Sequence, residues 1–88
     1  MPRFPLGRIL ATPEVLRSVP EAEMLDALAR HAAGDWGDVE KEDRRANEEA
    51  LRDGDRLLSV FVTGAGTKFW VITEADRSST TVLLPDEY

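Results

Sequence analysis

His31 is the one histidine in a chain of 88 residues that has no cysteine, so any imidazole-based proton transfer or nitrogen ligation must run through it. It follows Leu28 by three residues and Met24 by seven, on or beside the apolar stripe of a helix and close to its C-terminal end. Three roles are open to it there. It can be a satisfied, partly buried histidine, whose place near a helix C-terminus favours the charged form. It can be a general base, or it can join carboxylates in a loose oxygen-rich metal site. The first role asks for the fewest partners and takes precedence, and no metal or cofactor is expected. A second group of polar residues follows. Asp43 and Asn47 stand one turn apart on the expected inward face of a later helix, and Arg56 and Glu74 should meet them at one end of a sheet. Buried charges must be paired, so this cluster is either a network locking helix to sheet or the lining of a ligand or catalytic cleft. With His31, the carboxylates Asp38, Asp43 and Glu74 would form the acid–base set of a small hydrolase. Arg77, beside Asp76, can tie down its turn or bind phosphate, and the turn lock is preferred. Trp36 lies in the loop Asp35-Trp36-Gly37-Asp38, as a lid or an exposed partner contact.

The elements that must position these residues follow from period and punctuation. Leu6–Ala11 is extended in character, and Thr12-Pro13 is a helix start, with an N-cap hydroxyl and proline at the first helical position. That helix runs to about Val19, where Pro20 breaks it. A second helix spans Glu21 to Ala33, with Met24, Leu25, Leu28 and Ala32 inward and Gly34 as its left-handed stop. Asp38 is placed to cap a third, running to about Asp53 and ended by Gly54. Its inward stripe passes from Val39 through Asp43, Ala46, Asn47, Ala50 and Leu51, and two polar residues interrupt it.

From Leu57 the period becomes two. A three-residue turn, Gly64-Ala65-Gly66, pairs Thr63 with Thr67, which sets Val60 opposite Trp70, Leu58 opposite Ile72 and Arg56 opposite Glu74. A third strand, Ser79 to Leu84, completes an antiparallel meander. The even-numbered face (Leu58, Val60, Trp70, Ile72 and Val82, with Thr80 and Leu84) is expected to pack the helices. The odd face mixes Phe61, Phe69 and Val71 with Ser59, Thr63, Thr67 and Thr73 and is the expected surface of a homodimer. The fold class is therefore α+β: an N-terminal strand, two to three helices and a three-stranded meander, in two layers and one domain over residues 1–88.

Composition narrows the function. Hydrophobic residues make up 42% and charged residues 32% of the chain, a folding composition. Seventeen acidic against eleven basic residues give net charge −6, which argues against gripping a phosphate backbone, so nucleic acid is not an expected partner. No apolar run has the length of a membrane span, and the start lacks the apolar stretch of a signal peptide, so a cytosolic protein is expected. His31-Ala-Ala-Gly34-Asp35-Trp36-Gly37-Asp38, the helix with Glu42-Asp43 and Asn47, Arg56-Leu57-Leu58-Ser59, Trp70-Val-Ile-Thr-Glu74-Ala-Asp76-Arg77-Ser78 and Thr80-Thr81-Val-Leu-Leu-Pro85-Asp-Glu87-Tyr88 together resemble a family of small bacterial and archaeal plasmid-related proteins, some labelled as associated with type I restriction systems. The resemblance covers most of the chain after Leu6. It implies no catalytic residue, and its expected function is a non-enzymatic protein-interaction module in a plasmid, mobile-element or restriction-defence setting. Two alternatives stand beside it: a RelE-type ribonuclease or toxin fold, suggested by element order alone, and the small hydrolase built on His31.

Overall fold

A computed structural model describes residues 2–88. In chain order the elements are β1 (Arg8–Ala11), α1 (Pro13–Ser18), α2 (Glu21–Ala32), α3 (Lys41–Asp53), β2 (Leu57–Val62), β3 (Lys68–Thr73), β4 (Ser79–Leu83) and a 3₁₀ turn, Pro85–Glu87. The class is α+β, as the sequence predicts. The three antiparallel strands form the meander, and β1 adds a fourth strand, parallel to β4, in a sheet of order β1-β4-β3-β2. Among the described residues no helix is long and apolar enough to cross a membrane.

Local chemistry sets most of these boundaries. Thr12 Oγ1 accepts the Val15 N–H at 3.2 Å and Pro13 opens α1. After α2, Gly34 takes the left-handed conformation at φ +85°. Gly54 does the same after α3, and its N–H closes on the Ala50 carbonyl. Asp38 does not cap α3 as expected: the N-cap is Glu40, and the Asp38 N–H donates to the Val60 carbonyl at 2.7 Å. The Trp36 carbonyl accepts from Val60 N–H in return, so residues 36–38 run alongside β2 as a short bridge. Gly37 is required there, because a Cβ would lie 2.0 Å from the Val60 carbonyl oxygen.

The hairpin register is the predicted one: Val60 pairs with Trp70 and Leu58 with Ile72, and Thr63 N–H donates to the Thr67 carbonyl. The assignment of faces is reversed. The helices pack on Leu57, Ser59, Phe61, Phe69, Val71 and Thr73, all buried, whereas Leu58, Val60 and Trp70 are only partly buried on the opposite face. The expected homodimer surface is thus inside the protein. The β4 residues Thr80 and Val82 do face the helices, but they pair with Thr73 and Val71. The turn between β3 and β4 holds Arg77 at φ 62°, and the odd-to-even register it sets places even residues of β4 beside odd residues of β3.

The main core joins Val15, Val19, Met24, Ala27 and Leu28 of the helical layer to Phe61, Phe69, Val71 and Val82 of the sheet. A second cluster holds Phe4, Trp36, Ala50 and Leu57. Leu25, expected inward on α2, is 58% exposed; Ala27 and His31 take the inward stripe instead.

Candidate functional site

His31 lies fully buried between α2 and the sheet. Its Nδ1 is 2.5 Å from Ser59 Oγ on β2 and its Nε2 is 2.8 Å from Thr73 Oγ1 on β3. Thr73 Oγ1 is 2.7 Å from Thr80 Oγ1 on β4, and Thr80 Oγ1 donates to the Leu6 carbonyl at 2.7 Å. The end of this chain fixes the direction of the whole. A carbonyl only accepts, so the Thr80 proton is spent on Leu6. Thr73 must then donate to Thr80 and accept from His31, which puts the imidazole proton on Nε2. Nδ1 is left as an acceptor for Ser59. A neutral imidazole satisfies every partner, whereas a proton on Nδ1 would make Ser59 the acceptor and leave its own hydroxyl proton without a partner. Burial, and after it the nearby Arg77 charge, push the His31 pKa down to about 4, opposite to the charged form that its helix position suggested.

Aromatic rings wall this seam. Phe4 and Trp36 meet the imidazole edge-on, with centroids 5.3 and 5.7 Å away, and stack on each other at 6.2 Å. Trp36 is therefore core, 3% exposed, which excludes the exposed partner contact of the two roles its loop offered and agrees better with the lid. Its Nε1–H donates to Glu48 Oε2 at 3.0 Å, and Arg3 holds the same carboxylate with two bonds. Those bonds, Arg3 before Trp36, draw the Glu48 pKa below its ordinary range.

The other predicted polar residues are dispersed. Asn47 is buried, and its side-chain amide donates to the Leu58 carbonyl at 2.7 Å and accepts the Leu58 N–H at 3.1 Å, standing in for a neighbouring strand. Asp43 is exposed on α3 and Asp38 is exposed in the bridge; neither joins Asn47. Arg56 and Glu74 pair at 3.3 Å on the opposite face of the sheet, where Arg56 also donates to the Tyr88 hydroxyl. Arg77 donates to the carbonyls of Ala50, Asp55, Glu74 and Ala75. It fastens the end of α3 and the next loop to the turn, which is the turn lock, with both terminal nitrogens on backbone carbonyls.

Sequence reasoning missed Ser59, Thr73 and Thr80 as members of the seam. Ser59 and Thr73 read as part of the homodimer face and Thr80 as part of the face toward the helices, on opposite sides of the sheet, and the signal that could have joined them was His31 at a buried helical spacing with no other partner. Among the described residues no His, Asp and Glu group is arranged to hold a metal ion. Two shallow depressions of about 90 and 80 Å³ flank Arg30 where its guanidinium lies 4.7 Å over the Phe61 ring. Of the predicted cluster, Asp38 alone lines either of them. A ligand pocket usually holds about 300 Å³ or more, well above either of these.

The surface that remains is the side of the sheet away from the helices. Leu58, Val60, Trp70 and Thr81 are partly buried there, with Leu10 40% and Val62 46% exposed. The C-terminal 3₁₀ turn touches β3, and the Tyr88 ring meets Trp70 at 5.6 Å. No family model, curated protein or solved structure matches the chain.

Proposed function

We propose that the chain is a non-enzymatic protein-interaction module whose contact surface is the open face of its sheet, centred on Leu58, Val60 and Trp70. The carrying observation is that this face has apolar residues on all four strands and no described α-helix packed against it, only the C-terminal 3₁₀ turn and Tyr88 over part of it, while Leu10 and Val62 stay exposed. Exposed apolar patches on small domains mark association. The residues that could have done chemistry are committed elsewhere: His31 to hydroxyls on two strands, Asn47 to β2 and Arg77 to four carbonyls. That commitment weighs against the hydrolase reading. The ribonuclease reading is disfavoured by net charge −6 and by the ion pairs that engage Arg3, Arg17, Arg30 and Arg56. A cytosolic protein partner in a plasmid or restriction-defence setting accords with the resemblance of the Trp-Gly-Asp loop and the Thr-Glu-Ala-Asp-Arg-Ser turn. Affinity capture from the host tests this with the parent beside Leu58→Lys and Val60→Lys. The expected result is a partner held by the parent and lost from both variants at unchanged melting temperature. Capture indifferent to both substitutions removes the open face from the function.

A further inference from the structure

The two edges of the sheet are treated differently. On β2 the outward-pointing groups of Leu58 are taken by the Asn47 amide, and those of Val60 by the carbonyl of Trp36 and the N–H of Asp38. On β1 no described residue covers the outward groups in this way. Arg8 and Thr12 donate their N–H groups to the carbonyls of Ser78 and Val82 at 3.0 and 3.2 Å, so residues 8, 10 and 12 bond toward β4, and Ile9 and Ala11 turn N–H and C=O outward. Ile9 is 53% exposed beside them. A bare edge strand is a template for another strand.

We infer that a second copy of this chain pairs with β1 in antiparallel fashion about a two-fold axis at Leu10. This rests on the interaction-module reading and gives it a first partner. The register follows from the residues. A two-fold at Leu10 opposes Ile9 to Ala11 of the second copy and Ala11 to Ile9, which uses all four outward-facing groups on each strand. Centring on Ile9 would recruit Gly7, which is bent out of strand geometry at φ +65° and cannot carry a Cβ, 2.4 Å from the Ser78 carbonyl oxygen. Centring on Ala11 would recruit Pro13, which has no N–H. Only the Leu10 register stays within the strand.

Side chains complement the same axis. Leu10 meets Leu10 of the second copy, their Cα atoms about 4.5 Å apart as in any non-hydrogen-bonded antiparallel pair. Arg8 falls opposite Thr12 of the second copy. Thr12 Oγ1 donates to Glu87 Oε1 at 2.7 Å, so a carboxylate waits where the Arg8 guanidinium arrives, twice per dimer. Within one chain Arg8 makes no ion pair among the described residues. The pairing would turn two four-stranded sheets into one of eight and make the open faces continuous.

Sedimentation across a dilution series, with residue-resolved amide exchange at each end of it, tests the inference. The expected species has twice the 9.8 kDa chain mass, and on dilution the Ile9 and Ala11 amides lose protection together. Leu10→Glu, which sets two like charges at the axis, is expected to weaken association about tenfold or more. Arg8→Glu weakens it less, and adding Glu87→Arg to Arg8→Glu restores it. A monomer at millimolar concentration, or a dimer whose Ile9 and Ala11 amides exchange freely and which ignores Leu10→Glu, overturns the inference. Neither result touches capture through Leu58 and Val60, on the far side of β4 and β3 from this edge, so the two readings can fail separately.

Discussion

The two faces of the sheet invert the usual expectation. The face toward the helices carries Ser59, Thr73 and Thr80, each fully buried, while the open face carries Leu58, Val60, Trp70 and Ile72. On β2 alone, Leu58, Val60 and Val62 are the more hydrophobic alternation, yet Leu57, Ser59 and Phe61 are buried. What decides between them is satisfaction of polar groups by a residue on another element. A buried hydroxyl without a partner costs about 1–3 kcal/mol, and His31 removes that cost for two strands at once through its two ring nitrogens. Phe61, Phe69 and Val71 then supply the apolar area that holds the helices. The open face has no such hub; its polar pair, Arg56 and Glu74, is exposed.

The contrast breaks first at its hub. His31→Ala should destabilise the fold by about 3–5 kcal/mol, because it opens a cavity and strands the hydroxyls of Ser59 and Thr73 together. Urea denaturation measures this, and a loss under 1 kcal/mol would mean that the seam does not hold the helical layer.

Protonation should do the same reversibly. The His31 pKa is about 4 in the folded chain against an ordinary 6.5, so between those values the unfolded chain takes up a proton that the folded chain refuses. Stability is therefore complete above about pH 6.5 and falls as the pH drops toward 4, by about 3 kcal/mol over the window. Denaturation of the parent at pH 7 and pH 5, beside His31→Gln, isolates the effect, since the glutamine variant lacks this slope. Equal slopes would place the proton uptake elsewhere.

Much of the fold could be read from residues that act locally. Thr12-Pro13, Pro20, Gly34 and Gly54 mark helix ends by conformational preference alone, and the Gly64-Ala65-Gly66 turn fixes the hairpin register without help from tertiary structure. What the sequence concealed were choices made between distant elements. Burial of the odd face depends on His31 meeting strands 28 and 42 residues later. The parity of β4 depends on Arg77 entering the left-handed region, which its four carbonyl partners sustain and an arginine does not favour by itself. Asp43, Asn47, Arg56 and Glu74 look like one cluster when the inward stripe of the third helix is run unbroken from Val39. Asp43 lies on the same helical line as Asn47 and Ala50, but residues 41–46 are all exposed and only the later turns of α3 meet the sheet. Arg56 and Glu74 met as paired, but on the face away from α3.

That dispersal separates two substitutions that sequence alone would rank together. Asn47→Ala should cost about 2 kcal/mol, since it exposes the Leu58 N–H and carbonyl of a buried edge with no substitute partner. Arg56→Ala should cost less than about 1 kcal/mol, because the Arg56–Glu74 pair is exposed to solvent. Thermal melts of the two variants side by side check the order. Equal losses would show that the pair at the sheet end is held far more tightly than exposed pairs usually are.

The finest comparison uses two adjacent residues of β2. Ser59 is fully buried against His31, and Val60, its neighbour, is partly exposed on the open face. Ser59→Ala makes the helix face more apolar, and by hydrophobicity alone it should stabilise the fold. We expect it instead to destabilise by about 1–2 kcal/mol, because His31 Nδ1 loses its only donor inside the core. Val60→Thr makes the open face more polar, and it should change stability by less than about 1 kcal/mol, because the added hydroxyl can reach water and threonine keeps the β-branched shape of a strand. If Val60→Thr proves the costlier of the two, apolar area on the open face contributes more to folding than the polar seam beneath the helices, and the roles assigned to the two faces must be exchanged.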